Sequence, residues 1–309
     1  MLKNLLSLTI GVVLLAVVMW YVKDSGLWSK VALLPVSVYA VSAAILLALF
    51  MLSGVQMRIA LLRSGQGALT ALDTVALPIA QNFWGYIIPI QGSFIYGATF
   101  LKAKYEANVS TTTAVYLFIT VCSLVMGAFF GVAHSFVTNI HFMPIYVVIV
   151  LMPFWLLVGH RFLRVIDSRI SIPPRVKEFI DKVLGSMVIM LRDPLFVMKV
   201  IVLDLAYVTL VALWSYYLSE SLGFGVPIGI YVLVSFFLKL TIIAKFTPGN
   251  IGVIQLFSGG VLAAYGHPLE AGLFISTLQL GLLVVISFPV AIVLTIVQFK
   301  YIRRLFFWA

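Results

Sequence analysis

Seven stretches of this chain are long and apolar enough to cross a membrane or nearly so: Leu5–Val22, Leu33–Val55, Ser110–Val132, Met143–Gly159, Val200–Leu218, Ile228–Ala244 and Leu269–Phe299. At 1.5 Å per residue, about 20 residues cross a hydrocarbon core of about 30 Å. That core offers no water to a bare amide, so the backbone must close its own hydrogen bonds, and apolar runs of this kind cross as helices. The chain is 63% hydrophobic and only 10% charged, against about a quarter charged in soluble domains. The fold class is therefore all-α, a polytopic helical membrane protein forming one membrane domain over 1–309. Met1 to Val22, with Lys3 ahead of an apolar run, has the outline of a signal peptide. No small-x-small cleavage site follows, so an uncleaved first helix is expected.

Two places break the helical pattern where it should be strongest. Pro248, Gly249, Asn250, Gly252 and Gln255 fall within an otherwise apolar region, and so do Asn82, Pro89, Gln91 and Gly92. Proline removes a donor and disfavours helix at the residue before it. Broken backbone at membrane depth is tolerated only where protein buries it or where it lines a wet cavity. The two breaks are therefore expected to be re-entrant and to form the binding site. The plainer reading is a pair of ordinary loops between spans.

The net charge of +10 would suggest nucleic acid in a soluble protein. Here the cations cluster between spans, so they are read as orientation signals and as attraction to anionic lipid, with no nucleic-acid partner expected. Arg58, Arg63, Lys102, Lys104, the polar segment 160–199 and the terminal Lys300, Arg303 and Arg304 all mark the cytoplasmic side. The loop 134–142 has no Lys or Arg and marks the other. Both ends of 64–109 then lie inside, so that stretch must dip in and return. The same parity applied to the Pro248 segment makes it dip from the inside. It also requires residues 269–306 to cross twice, unless they form a single kinked helix around Pro289. The resulting expectation is about eight transmembrane helices plus two re-entrant segments, with both termini cytoplasmic in a cell (inner) membrane. Residues 1–159 and 200–309 would be halves of a parallel repeat joined by the connector 160–199. Within it, Pro174 suits the first turn of a helix, and Val176, Phe179, Ile180, Val183, Met187 and Leu191 recur at helical spacing. That helix either lies on the membrane surface or packs on the protein's own loops. Ser110 is the expected N-cap of the span that it opens.

Polar groups inside the spans narrow the chemistry. Lys239 lies mid-span, at about 2.5–3.5 kcal/mol on the insertion scale if it faced lipid. It should face protein or water, with Asp204 and Gln279 as candidate partners, or else snorkel to the inner surface beside Lys245. Arg58, Lys102, Lys104 and Lys245 are candidates for holding a lipid phosphate. The one cysteine, Cys122, rules out an internal disulfide and a multi-cysteine metal site. The four histidines are scattered, no catalytic grouping can be assembled, and no Walker-type loop is present. Neither a metal, a cofactor nor an enzymatic reaction centre is expected.

At the two breaks the chain resembles the flippase-like membrane family that includes the transmembrane part of lysylphosphatidylglycerol synthase. Thr247-Pro248-Gly249-Asn250-Ile251-Gly252-Val253 resembles that family's late Pro-Gly-Gly/Asn-Leu-Gly-Val/Ile motif. Asn82 to Pro89, then Gly92 and Leu101 to Tyr105, resembles its earlier motif, and Gln56 to Leu62 the Arg-containing end of its second span. The late motif usually continues with Arg-Glu, where this chain has Ile254 and Gln255. After its glycines the early motif usually carries an acidic or Arg residue, whereas Ser93 to Tyr96 are uncharged. The resemblance implies translocation of a phospholipid or lipid-linked (glyco)lipid between leaflets. The family's synthases carry a separate aminoacyl-transferase domain, which this chain does not contain, so synthesis is not implied. The missing Arg-Glu pair leaves a second class open, a non-transporting partner of a lipid or polysaccharide biosynthetic enzyme. A third, an intramembrane transferase, would rest on Asp204.

Overall fold

The computed structural model describes residues 9, 13–14, 16–20, 27–88, 92–135, 173–240 and 247–302, and no strand occurs among them. Their helices are α1 (Leu27–Ala32), α2 (Val36–Arg63), α3 (Ala71–Ile87), α4 (Gly92–Tyr105), α5 (Val109–Ser135), α6 (Pro174–Leu191), α7 (Pro194–Leu222), α8 (Ile228–Leu240), α9 (Val253–Ala264), α10 (Leu269–Val297) and α11 (Phe299–Ile302), with a 3-10 turn at Pro248–Asn250 between α8 and α9. Four are long and apolar enough to cross a membrane: Val36–Arg63, Val109–Phe130, Pro194–Leu222 and Leu269–Val297. The chain is thus a multi-pass helical membrane protein. The expected crossing at Met143–Gly159 lies outside the described residues, and Leu5–Val22 is described only in part.

The frame is set by α2 and α7, which run antiparallel in fixed register. Arg63 pairs with Asp193 at 2.9 Å. Seven residues back along α2, Gln56 Nε2 donates to the carbonyl of Val200, seven residues on. Fourteen further, Trp214 Nε1 donates to Ser42 Oγ at 3.0 Å. Each contact marks a level in the bundle. The Arg63/Asp193 end is the basic end, and the other carries Lys30, whose Nζ donates to the carbonyl of Leu222. Local sequence explains where the helices start. Asp193 caps α7 by accepting from Phe196 N–H at 3.0 Å, and Thr70 caps α3 by accepting from Asp73 N–H at 3.2 Å. Pro174 occupies the first turn of α6 as expected. The cap of α5 is Asn108 and not Ser110, since Asn108 Oδ1 accepts both the backbone N–H and the hydroxyl of Ser110. Asn ranks with the best caps, and its position one residue before Val109 wins.

Residues 71–105 form a helical hairpin. Seventeen and fourteen residues give α3 and α4 lengths of about 26 and 21 Å, too short to cross alone. Both ends of the hairpin sit at the basic end. Thr70 N–H donates to Tyr105 Oη, Lys104 Nζ lies 2.6 Å from Asp73, and Asn108 N–H donates to Gln66 Oε1. The chain therefore goes in and comes back, as the charge pattern requires. Pro78 sits inside α3 and leaves the carbonyl of Thr74 without its intrahelical donor. That carbonyl faces Gly54 of α2 so closely that a Cβ there would come within 1.6 Å of it.

The C-terminal half departs from expectation. Leu269–Val297 is one helix of 29 residues with Pro289 inside it, about 43 Å long, and not a tight pair of spans. Gln279 at its first third donates to Ser215 near the far end of α7, and Tyr301 just beyond it packs edge-on to Phe100 of α4 at 5.8 Å. So α10 runs from the opposite end to the basic end. Since α7 finishes at the opposite end and α10 starts there, the segment between them enters and leaves at that end. The second hairpin, α8 and α9 with the Pro248 turn between them, opens opposite to the first. The expected tight pair of spans after residue 269 is therefore corrected, and within the described bundle the two hairpins open at opposite ends. Val253–Ala264 has 12 residues, about 18 Å, too short to cross alone, while the expected span Ile228–Ala244 is described only as far as Leu240.

The connector helix α6 packs along α5. Val183, Met187 and Met190 are buried in one cluster with Ala114, Val115 and Phe118, while Val176 and Phe179 nearer its start stay exposed. Its second half thus serves the protein's own core.

Candidate functional site

The tips of the two hairpins meet in the middle of the bundle. Gly249, at φ +58°, lies against the ring of Tyr86 at the end of α3, and a Cβ at 249 would sit 2.1 Å from Tyr86 Cε1. A left-handed backbone costs an L side chain about 1–2 kcal/mol, so glycine answers both the turn and the contact. Asn250 follows with φ +55°, a conformation that Asn tolerates better than most residues. The turn is closed locally: Thr247 Oγ1 donates to the carbonyl of Ile251 at 2.8 Å, and Gly252 N–H donates to Gln255 Oε1 at 2.7 Å. Gln255 thus stands at the third helical position, where a Glu or Gln reaches back to the cap backbone. Its amide satisfies a donor that a buried helix start would otherwise leave bare.

Between the tips lies a cavity of about 480 Å³, within the range of small-ligand sites. Of the residues that the sequence singled out, Asn82, Gly92, Gly249, Asn250 and Gln255 line it. Pro248 and Gly252 belong to the turn that shapes its wall. Pro89, Gln91 and Lys245 lie outside the described residues. Further polar lining comes from Ser53, Gln81, Tyr86, Ser93, Tyr207, Ser276 and Gln279, with Leu46, Phe50, Trp214 and Leu283 among the apolar part. No Asp, Glu, Lys or Arg is among the described lining residues. Gln81 is held by Tyr116 of α5, to whose hydroxyl its Nε2 donates. The side-chain oxygen of Asn82 is buried without a hydrogen-bond partner among the described residues. A group entering the cavity would find an acceptor there.

Lys239 and Asp204 meet beside this cavity. Lys239 Nζ is 2.8 Å from Asp204 Oδ1, and Ser123 Oγ donates to the same oxygen at 3.1 Å. Lys239 therefore pairs within the bundle and does not snorkel. Gln279, its other candidate partner, bonds to Ser215 and lines the cavity instead.

The remaining cations sit away from the cavity, at the basic end. Lys102 is exposed and Arg58 half-buried, and Lys104 is committed to Asp73. Burial opposes the Asp73 charge, but hydrogen bonds from Lys104, Tyr105 and Thr70 outweigh it and hold the carboxyl below its usual range. Burial likewise opposes the Lys104 charge, and Asp73 overcomes it, so the ammonium titrates above its usual range. The aromatic rings of Phe100, Tyr105 and Tyr301 surround this ammonium at 5.5–5.6 Å. The contact fastens the base of the first hairpin.

Sequence reasoning missed Tyr86, Tyr207, Trp214 and Ser276. Gln81 and Gln279 carried a signal, as amides inside apolar helices. An aromatic ring in an apolar helix carries none, since core and cavity wall use the same residues. Comparison with protein-family models, with curated proteins and with solved structures finds no match.

Proposed function

We propose that this protein moves an amphiphilic lipid, a phospholipid or a lipid-linked glycolipid, between the leaflets of a cell membrane. The observation that carries the reading is the polar cavity at the meeting point of two hairpins that enter the bundle from opposite ends. A bare polar group crossing hydrocarbon costs about 2–7 kcal/mol for each lost hydrogen bond. Asn82, Asn250, Gln255 and Gln279 supply donors and acceptors in place of water, and each hairpin offers a route to one face. The acyl chains stay in the bilayer while the headgroup passes. The basic end faces the cytoplasm, as the excess of Lys and Arg there requires, and Arg58 and Lys102 draw anionic lipid towards the first hairpin at about 1 kcal/mol per cation. This reading agrees with the family resemblance of the Pro248–Gly252 stretch.

Substitution of the Arg-Glu pair by Ile254 and Gln255 does not count against the reading. Gln255 performs the helix-start role that a Glu would perform at the same place. The test is reconstitution in liposomes with headgroup-labelled lipids of several classes, followed by dithionite quenching. Faster loss of inner-leaflet label than in empty vesicles supports translocation, and no acceleration for any class refutes it.

A further inference from the structure

Three elements converge on Asp204, which is buried eleven residues into α7. From α8, Lys239 donates to Oδ1, and from α5 Ser123 donates to the same oxygen. The other oxygen, Oδ2, is buried and makes no hydrogen bond among the described residues. Lys239 lies 4.4 Å from the centre of the Tyr207 ring. Tyr207, and Leu238 next to Lys239, also form the cavity wall, so the Tyr207 ring touches both the ion pair and the cavity.

The other titratable groups facing the pair are the thiol of Cys122 on α5, the phenol of Tyr207 on α7 and, beyond it, that of Tyr86 on α3. Towards α7, α2 presents the neutral Ser42 and Gln56 and α10 the neutral Gln279, while Arg63 of α2 is held by Asp193 at the basic end. α1 and α6 meet α7 near its ends.

A carboxylate oxygen left bare in a dry bundle is an acceptor waiting for a cation. The ammonium already on Oδ1 opposes any second cation at Oδ2, and of these a proton alone gains a covalent O–H bond there and needs no further ligands. We propose that Asp204 is the proton-binding site through which a proton gradient drives the second hairpin. The inference rests on the translocation reading above and adds its driving ion. The step is balanced simply: one proton from water bonds to Oδ2, and the pair goes from net neutral to one positive charge. Lys239 loses its counter-charge, the hold of α7 on α8 weakens, and the arm bearing Leu238 is free to move the cavity wall.

The experiment has two arms on the full chain. In nanodiscs, infrared difference spectra on acidification should show a protonated-carboxyl band that disappears in Asp204→Asn and returns, shifted, in Asp204→Glu. In liposomes, an imposed pH gradient should change the rate of lipid translocation several-fold in the natural protein, while Asp204→Asn should flip at one rate whatever the gradient. Absence of any band assignable to Asp204 at every pH where the protein stays folded overturns the inference, and so does gradient-independent translocation by the natural protein. If the band is present but no lipid moves, the proton site stands and the translocation reading falls.

Discussion

Replacing Gly249 by Ala tests the contact on which the cavity depends. Two costs add. The new Cβ must accept φ +58°, at about 1–2 kcal/mol. It must also displace Tyr86, whose ring carbons lie 2.1 and 2.3 Å from the Cβ position, and overpacking costs about 1–3 kcal/mol. The ring cannot simply swing away, since Phe288 of α10 packs on it with centroids 5.7 Å apart. Gly249→Ala should therefore lose about 2–5 kcal/mol, or roughly 5–15 °C in Tm, against a gain of at most about 1 kcal/mol from a stiffer unfolded chain. Tyr86→Leu should remove the steric part and leave the backbone part. Thermal unfolding of the two single variants and the double variant, in one detergent, gives the coupling directly, expected at about 1–3 kcal/mol in the relieving direction. A Gly249→Ala variant as stable as the natural protein would refute the reasoning. So would an unchanged penalty in the Tyr86→Leu background, which would mean that the tips do not touch.

Three further outcomes follow from other contacts. The first hairpin's base should loosen in acid. Asp73 is held below its usual range, so its contribution is complete above the unfolded carboxylate value of about 3.9 and is lost as pH falls through the folded one. Lys104, held above its usual range, keeps its contribution below about 10.4 and loses it only as pH rises through its own folded value. Hydrogen-exchange protection factors at 70–74 and 104–108 should fall in acid, and Asp73→Asn should abolish that fall. Gly54→Ala should be among the most damaging small substitutions, by about 3 kcal/mol or more, because its Cβ would meet the Thr74 carbonyl with no flexible group to yield; near-normal expression and Tm would contradict that packing. Lys239→Met should cost about 3–5 kcal/mol by removing the counter-charge of the buried Asp204, and adding Asp204→Leu should restore part of the loss in a melting assay.

The membrane class, the first hairpin and the helix-breaking Pro248 turn were legible because each leaves a compositional mark: apolar runs, clustered Lys and Arg, and proline and glycine where helix is otherwise favoured. The pairing of Lys239 with Asp204 was legible too, since a mid-span Lys needs an acid and few were available. The direction of the second hairpin was not. It turned on whether Leu269–Val297 crosses once or twice, and a proline inside an apolar run fits a kinked helix as well as a turn. Pro78 and Pro289 both sit inside continuous helices, where neighbouring helices supply the packing that the missing hydrogen bond takes away. The aromatic wall of the cavity was invisible for a different reason. Tyr86 and Tyr207 owe their role to the tertiary meeting of α3, α7 and the Pro248 turn, and no spacing along the chain encodes that meeting.

The central claim is that two hairpins open on opposite faces of the membrane and meet at their tips. Single cysteines at Ala68, beside the base of the first hairpin, and at Ala264, beside the base of the second, test it most directly, since both positions are exposed. In a Cys122→Ala background, a membrane-impermeant maleimide applied to sealed vesicles of known orientation should label one position from the cytoplasmic side and the other only from the far side. Labelling of both from the same side would contradict the account.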